Sequence, residues 1–175
     1  MLRLIKIIVF GLFALSLNLF CQKVDPQHRV KIGDEAPNFT LKFLDGTTKQ
    51  LRDLRGNVIM LQFTASWCSV CLKEMPFIEE EIWKVHKENH SFKLFGIDFK
   101  EDRETIEKFI QKTKVSYPIL LDEDGKIFEL YAEKGAGVTR NVIIDKQGKV
   151  RFLTRLFVRE EFDGMKKKID ELLND

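Results

Sequence analysis

The run Val58-Ile59-Met60-Leu61-Gln62-Phe63 is apolar but for Gln62, and it ends shortly before two cysteines, Cys68 and Cys71. Behind the cysteines, Met75, Ile78, Ile82 and Val85 recur at helical spacing. A continuous apolar run of that length reads as a strand buried on both faces. The recurrence after it reads as an amphipathic helix. A buried strand that feeds a helix through a short loop belongs in an α/β sheet, which excludes all-helical and all-strand architectures. Two cysteines three apart in the first turn of that helix share a face, so their sulfurs can reach bonding distance.

The rest of the chain continues the alternation. Asn38 to Leu44 and Thr48 to Leu51 flank Asp45-Gly46, a turn signal that predicts a hairpin. Phe92 to Asp98 is a second buried-strand candidate, and Ile106, Phe109 and Ile110 form a helical stripe behind Asp102 as its cap. Tyr117 to Leu121 is a short strand. Val142-Ile143-Ile144 and Val150 to Leu153 form a hairpin around Lys146-Gln147-Gly148, and Phe162, Met165, Ile169 and Leu172 close the chain as an amphipathic helix. The order β-α-β-α-β-β-α predicts a sheet with helices on its faces and right-handed crossovers between parallel neighbours.

Charge and composition limit the function classes. The 175 residues carry 29 Lys+Arg against 27 Asp+Glu, which is no signature of polyanion binding, so nucleic acid is not an expected partner. Residues 1–21 hold Arg3, Lys6 and then an apolar stretch from Ile7 to Phe20, the pattern of a signal sequence or membrane anchor. Taking Arg3 and Lys6 from the 29 basic residues leaves 27 of each sign in the remainder. Cys21 follows the apolar stretch, where a bacterial lipoprotein receives its lipid, although Phe20 stands where a small residue is usual. Three fates stay open: a lipid on Cys21, an uncleaved anchor, or cleavage near Ala14-Leu15-Ser16. Each places the folded domain outside the cytoplasm, where disulfides persist. Residues 22–30 are polar, contain Pro26 and show no period, and read as a tether. The domain itself is expected over residues 31–175.

The chemistry lies in Trp67-Cys68-Ser69-Val70-Cys71. Unpaired N–H groups and the positive dipole end of a helix N-terminus favour thiolate over thiol. Thiolate is the form that attacks disulfides, which makes Cys68 the expected nucleophile and Cys71 the resolving thiol. Structural zinc needs four ligands, and no second Cys or Cys-His pair is present. A purely structural disulfide across so short a loop gains little chain entropy. The two sulfurs suffice for the reaction, so no cofactor and no metal are expected.

Four blocks of sequence carry a resemblance. They are Gly33-Asp34-x-Ala36-Pro37-x-Phe39, the stretch Phe63 to Pro76 with its W-C-x-x-C-x-x-E-x-P core, Asp122-Glu123-Asp124-Gly125, and Ile144-Asp145-Lys146-Gln147-Gly148-Lys149. In this order they resemble the TlpA/ResA group of extracytoplasmic thioredoxin-like oxidoreductases, over residues 31–175. The peroxiredoxin-like AhpC/TSA redoxins share the scaffold. The resemblance implies a thioredoxin-like α/β fold, with a central mixed sheet flanked by helices and an N-terminal β-hairpin extension. It implies exchange with protein thiols and disulfides, in the reducing direction, and an electron donor in the membrane or periplasm.

Carried over by position, Cys68 and Cys71 match the redox pair, and Trp67 matches the tryptophan that walls one side of the disulfide. Glu74 matches a poorly solvated acid beneath the cysteines that takes or gives a proton. Gln62 stands where cytoplasmic thioredoxins keep a buried acid, which leaves Glu74 as the proton group. Pro76 removes the N–H that would pair with the Leu72 carbonyl and is expected to kink the helix. Where the group carries a cis-proline facing the disulfide, this chain has Thr139, and a trans Val138–Thr139 bond is expected. Thr139 and the neighbouring Arg140 are the expected substrate contacts, Arg140 as a partner for a thiolate or an anionic substrate.

Two alternatives remain. A peroxiredoxin-like thiol peroxidase carries a threonine three residues before its cysteine and a proline seven before; here those positions are Ala65 and Leu61, and Thr64 faces the wrong way along a strand. A copper-binding chaperone would add a histidine to the cysteines. His28, His86 and His90 are the candidates, with His86 and His90 expected on a solvated helix face.

Overall fold

The computed structural model describes residues 25–175. The expected signal or anchor segment 1–21, with Cys21 as the candidate lipid site, and the first part of the expected tether lie outside the described residues.

Two strands, β1 (Thr40–Lys42) and β2 (Thr48–Gln50), pair antiparallel around Asp45-Gly46. Gly46 has φ 87°, the left-handed region that a glycine reaches at no steric cost. A 3-10 turn over Leu51–Leu54 leads into β3 (Val58–Thr64), buried along its whole length. Helix α1 (Ser69–Ile78) follows, then a π-helical stretch over Glu79–Trp83 and a last helical turn, α2 (Lys84–His86). The irregularity expected of Pro76 thus takes the form of a wider helix one turn downstream, where the Glu79 N–H is shared between the carbonyls of Met75 and Pro76.

Next come β4 (Phe92–Phe99), α3 (Arg103–Thr113), β5 (Ile119–Asp122), α4 (Lys126–Tyr131), β6 (Arg140–Ile144), β7 (Val150–Arg155) and α5 (Arg159–Asn174). Asp102 caps α3 as expected, accepting the Thr105 N–H at 2.8 Å. Helix α4 was not legible in the periodicity. It is only six residues long, and Asp122 sets its start by accepting the N–H groups of Ile127 and Phe128.

The main sheet runs β5-β4-β3-β6-β7, with β3, β4 and β5 parallel and β6 and β7 antiparallel to their neighbours. It is therefore mixed, as expected, and the hairpin β1–β2 stands beside it. Alternate residues of β3 feed two apolar layers. Ile59, Leu61 and Phe63 pack with Phe128, Tyr131 and the hairpin residue Leu41. Val58 and Met60 pack with Met75 and Ile78 of α1, Ile106 and Phe109 of α3, and Phe162, Met165 and Ile169 of α5.

The expected tether over residues 22–30 needs correction. From Asp25 onward the chain is docked: Arg29 N–H donates to the Tyr131 carbonyl at 2.9 Å, His28 forms an isolated bridge with Ala132, and Val30 is buried. The composition of this strap is polar because it binds through charge and backbone rather than through an apolar face.

Candidate active site

Strand β3 delivers Ala65, Ser66 and Trp67 to the start of α1, and Cys68 is the residue that caps that helix. Its backbone is extended (φ −83°, ψ 102°), and its sulfur accepts the Cys71 N–H at 3.1 Å. Serine or aspartate usually fills this place; here a sulfur does, so the group favoured as an anion by the helix end is the one the sequence marks as the expected nucleophile. Cys68 and Cys71 are joined in a disulfide with Cα atoms 5.3 Å apart. Cys68 is 7% exposed and Cys71 is fully buried. An incoming disulfide therefore meets Cys68 first.

Thr139, the residue before β6, is buried against both sulfurs. Its hydroxyl lies 3.1 Å from Cys68 Sγ and 3.3 Å from Cys71 Sγ. The described residues contain no cis peptide bond, so Val138–Thr139 is trans. The Thr139 carbonyl accepts the Leu156 N–H at 3.2 Å, which ties it to the end of β7.

Glu74 is 1% exposed, on the sheet-facing side of α1. Its Oε1 accepts from Asn141 Nδ2 at 2.7 Å, and its Oε2 has no partner among the described residues. Burial pushes its carboxyl up to about 7, against the opposing pull of the Asn141 and Gln62 amides. A carboxyl poised there can hold or release a proton near neutral pH. Its setting is built by cross-strand pairing: Gln62 and Asn141 sit opposite one another on β3 and β6. The Tyr117 hydroxyl donates to Gln62 Oε1 at 2.7 Å, and Asn141 Nδ2 donates to Thr154 Oγ1 at 2.8 Å. Gly96, opposite Gln62 on β4, leaves the space that the Tyr117 and Ile119 side chains fill. Of this network the sequence reading had only Glu74 and Gln62. An asparagine heading the apolar stretch Val142-Ile143-Ile144 was the available signal for the rest.

Trp67 is 64% exposed. Its ring stands largely in solvent, next in sequence to the nearly buried Cys68. Arg140 also differs from expectation. Its side chain is fully buried, Nε donates to the Gly137 carbonyl at 3.1 Å, and its guanidinium faces Asp25 at 3.7 Å. Asp25 also pairs with Arg155 at 3.3 Å. The guanidinium expected to meet a thiolate or a substrate anion is instead turned to the strap, where it shares the single carboxylate of Asp25 with Arg155.

The histidines are dispersed. His86 is not solvated: it packs on the Phe92 ring and lies 3.2 Å from Asp170. His90 is exposed, and His28 is half-buried against the arginines. Among the described residues, no three His, Cys, Asp or Glu side chains converge as a metal-ligand set. Thr64 points away from the cysteines, its hydroxyl 3.7 Å from Met75 Sδ.

Comparison with known proteins agrees with this geometry. Residues 32–153 match the AhpC/TSA family. The thiol-disulfide oxidoreductase ResA of Bacillus thuringiensis is 31% identical over 159 residues, covering 90% of this chain and 87% of its own. The solution structure of a candidate protein disulfide isomerase from Bacteroides thetaiotaomicron is 50% identical, with a TM-score of 0.82, and covers 85% of this chain and 94% of its own. A thiol:disulfide interchange protein from a Bacteroides species shares the fold at 22% identity, with a TM-score of 0.68, over 83% of this chain and 92% of its own.

Proposed function

The chain belongs to the AhpC/TSA family and is a thiol-disulfide oxidoreductase of the ResA type, and we propose that it works outside the cytoplasm as a reductant of protein disulfides. The observation that carries the exchange chemistry is the Cys68 sulfur itself. It is the outermost of the pair, it caps a helix, and it takes a hydroxyl contact from Thr139. The last two favour a Cys68 thiolate and so make Cys68 the attacking sulfur. Because they also stabilise the reduced form, the reducing direction is taken from the resemblance to ResA and not from these contacts.

In the reduced protein the Cys68 thiolate attacks one sulfur of a substrate disulfide. A Cys68–substrate disulfide forms and the second substrate sulfur leaves as thiolate. Cys71 then loses its proton and attacks Cys68 Sγ, which closes the Cys68–Cys71 bond and expels the first substrate sulfur. The substrate gains two electrons and the protein loses two, so an external dithiol must reset it. Glu74, one helical turn beyond Cys71, is placed to take the proton that Cys71 gives up. Trp67 offers the substrate an aromatic surface, and Thr139 lies against both sulfurs where the substrate's sulfur must arrive. Arg140, held by Asp25, has a structural role, which weakens the peroxidase alternative.

The location rests on the apolar stretch of residues 7–20 with Arg3 and Lys6 before it, and a membrane tether through Cys21 or an uncleaved anchor follows from the same residues. No helix among the described residues is long and apolar enough to cross a membrane. The reduction potential of the Cys68–Cys71 pair tests the direction. A value near that of thioredoxin, about −270 mV or lower, supports a reductant. A value near −120 mV, that of a strong oxidant, overturns it.

A further inference from the structure

Besides Glu74, two further acids, Glu101 and Asp98, lie close to the redox loop. Glu101, in the loop between β4 and α3, accepts both polar hydrogens of Ser66: the N–H at 2.6 Å on Oε2 and the hydroxyl at 2.5 Å on Oε1. Ser66 is two residues before Cys68. The turn that presents the nucleophile is therefore pinned by a two-point, charge-assisted contact from a different strand. Lys100, just before Glu101, has φ 60° and donates its N–H to the Asp122 carbonyl at 3.0 Å, so the loop that carries Glu101 is itself held in an uncommon conformation.

Behind Glu101, at the end of β4, sits Asp98. It is fully buried, and neither of its oxygens has a hydrogen-bond donor among the described residues. The groups that face it are Glu101 from the loop and Asp122 from β5, both acids; Lys100 is directed to the Asp122 side. A buried carboxylate with no donor and two acidic neighbours is costly. Carrying a proton, the same group becomes a donor, and Glu101 is the adjoining acceptor. Burial first, and then Glu101, push the Asp98 carboxyl up to about 8.

We propose that Glu101 is a positioning residue for the redox pair, fixing the Ser66–Cys68 turn, and that Asp98 serves it as a proton-bearing buttress. With the proton in place, Asp98 donates to Glu101 and Glu101 is aimed at Ser66. When Asp98 ionises, two carboxylates face each other and the grip on Ser66 loosens. The inference concerns how Cys68 is held and stands whichever way electrons flow, so it does not share the fate of the reductant reading.

The test is a pH titration of the full chain in detergent, followed by NMR at the Ser66 amide and by the equilibrium of the Cys68–Cys71 pair with glutathione. The wild type is expected to show a Ser66 amide shift with a midpoint near pH 8, the Asp98 value. Asp98→Asn keeps a permanent donor to Glu101 and should abolish that midpoint. Glu101→Gln should raise Ser66 amide exchange about tenfold or more and change the glutathione equilibrium severalfold, the loss expected for removing one charge-assisted contact. A Ser66 amide that does not titrate in the wild type, or that keeps its midpoint in Asp98→Asn, overturns the proposal. Should Glu101→Gln fail to fold, the Asp98→Asn titration decides alone, because the amide is close to isosteric with the acid.

Discussion

The Thr139 hydroxyl touches the sulfur of Cys68 at 3.1 Å, across 71 residues of sequence. In the oxidised protein the contact is modest. In the reduced protein the hydroxyl can turn its hydrogen to the thiolate, and hydrogen bonds to charged groups are worth about 1.5–3 kcal/mol. Thr139→Val keeps the shape and removes the donor. The Cys68 thiol should rise by about one to two pH units, at about 1.4 kcal/mol per unit. Ultraviolet thiolate absorbance of the reduced protein checks this, and an unshifted titration would mean the hydroxyl points elsewhere after reduction.

Glu74 makes the oxidised fold pH-sensitive. Its folded value of about 7 lies above the ordinary 4.5, so the native state holds a proton that the unfolded chain has already lost. Stability from this group is complete below about pH 4.5 and declines as pH rises toward 7, where the deficit levels off. Glu74→Gln removes the penalty. Above neutral pH the variant should be more stable than the wild type, by up to about 3 kcal/mol, and below about pH 4 the advantage should vanish. Denaturant midpoints of the oxidised chain at acid and alkaline pH measure the sign directly. The same variant should exchange disulfides more slowly at the resolving step, because Cys71 loses its nearby proton acceptor.

Removing the resolving thiol should stop the reaction halfway. With Cys71→Ser, a substrate held on Cys68 has nothing inside the protein to displace it, and a mixed disulfide should accumulate on non-reducing gels. With Cys68→Ser, the remaining sulfur is fully buried and no adduct should form. An adduct on Cys71 in that variant would mean that the helix start opens far more than its packing implies.

The strap responds to acid. His28 is pushed down to about 4 from 6.5, first by burial and then by Arg140, with Arg155 adding to it and Asp25 opposing. A depressed base contributes stability that is present above its ordinary value and lost as pH falls through the folded one. Docking of residues 25–30 should therefore weaken between about pH 6.5 and 4. Hydrogen exchange at the Arg29 amide, which donates to Tyr131, reports it. His28→Gln should flatten that pH dependence, and an equally steep one would assign the effect to Asp25.

The parts of the fold that showed in the sequence were those with a local cause. β3 is a continuous apolar run, α1 and α5 have clear stripes, and Asp45-Gly46 and Asp102 mark a turn and a cap. Within the site, Cys68, Cys71 and Glu74 were legible because they share one helix face. What escaped notice depends on partners distant in sequence. Asn141 has meaning only opposite Gln62, Glu101 only against Ser66, and Arg140 only once Asp25 is seen to face it. Helix α4 was missed because it is too short for a period and starts from a single carboxylate, Asp122.

The strap also has a place in time. Arg29 meets Glu133 across 104 residues, and Asp25 waits for Arg155, later still. A chain made and delivered in order thus carries its first described segment without its Glu133 contact until 104 further residues have been added, roughly 5 to 20 s at ordinary rates of synthesis. β6 and β7 follow, and only then do Arg140 and Arg155 reach Asp25. An early piece of chain thus closes over a late one, and a strap seated on both arginines marks a sheet whose last strand, β7, has been made.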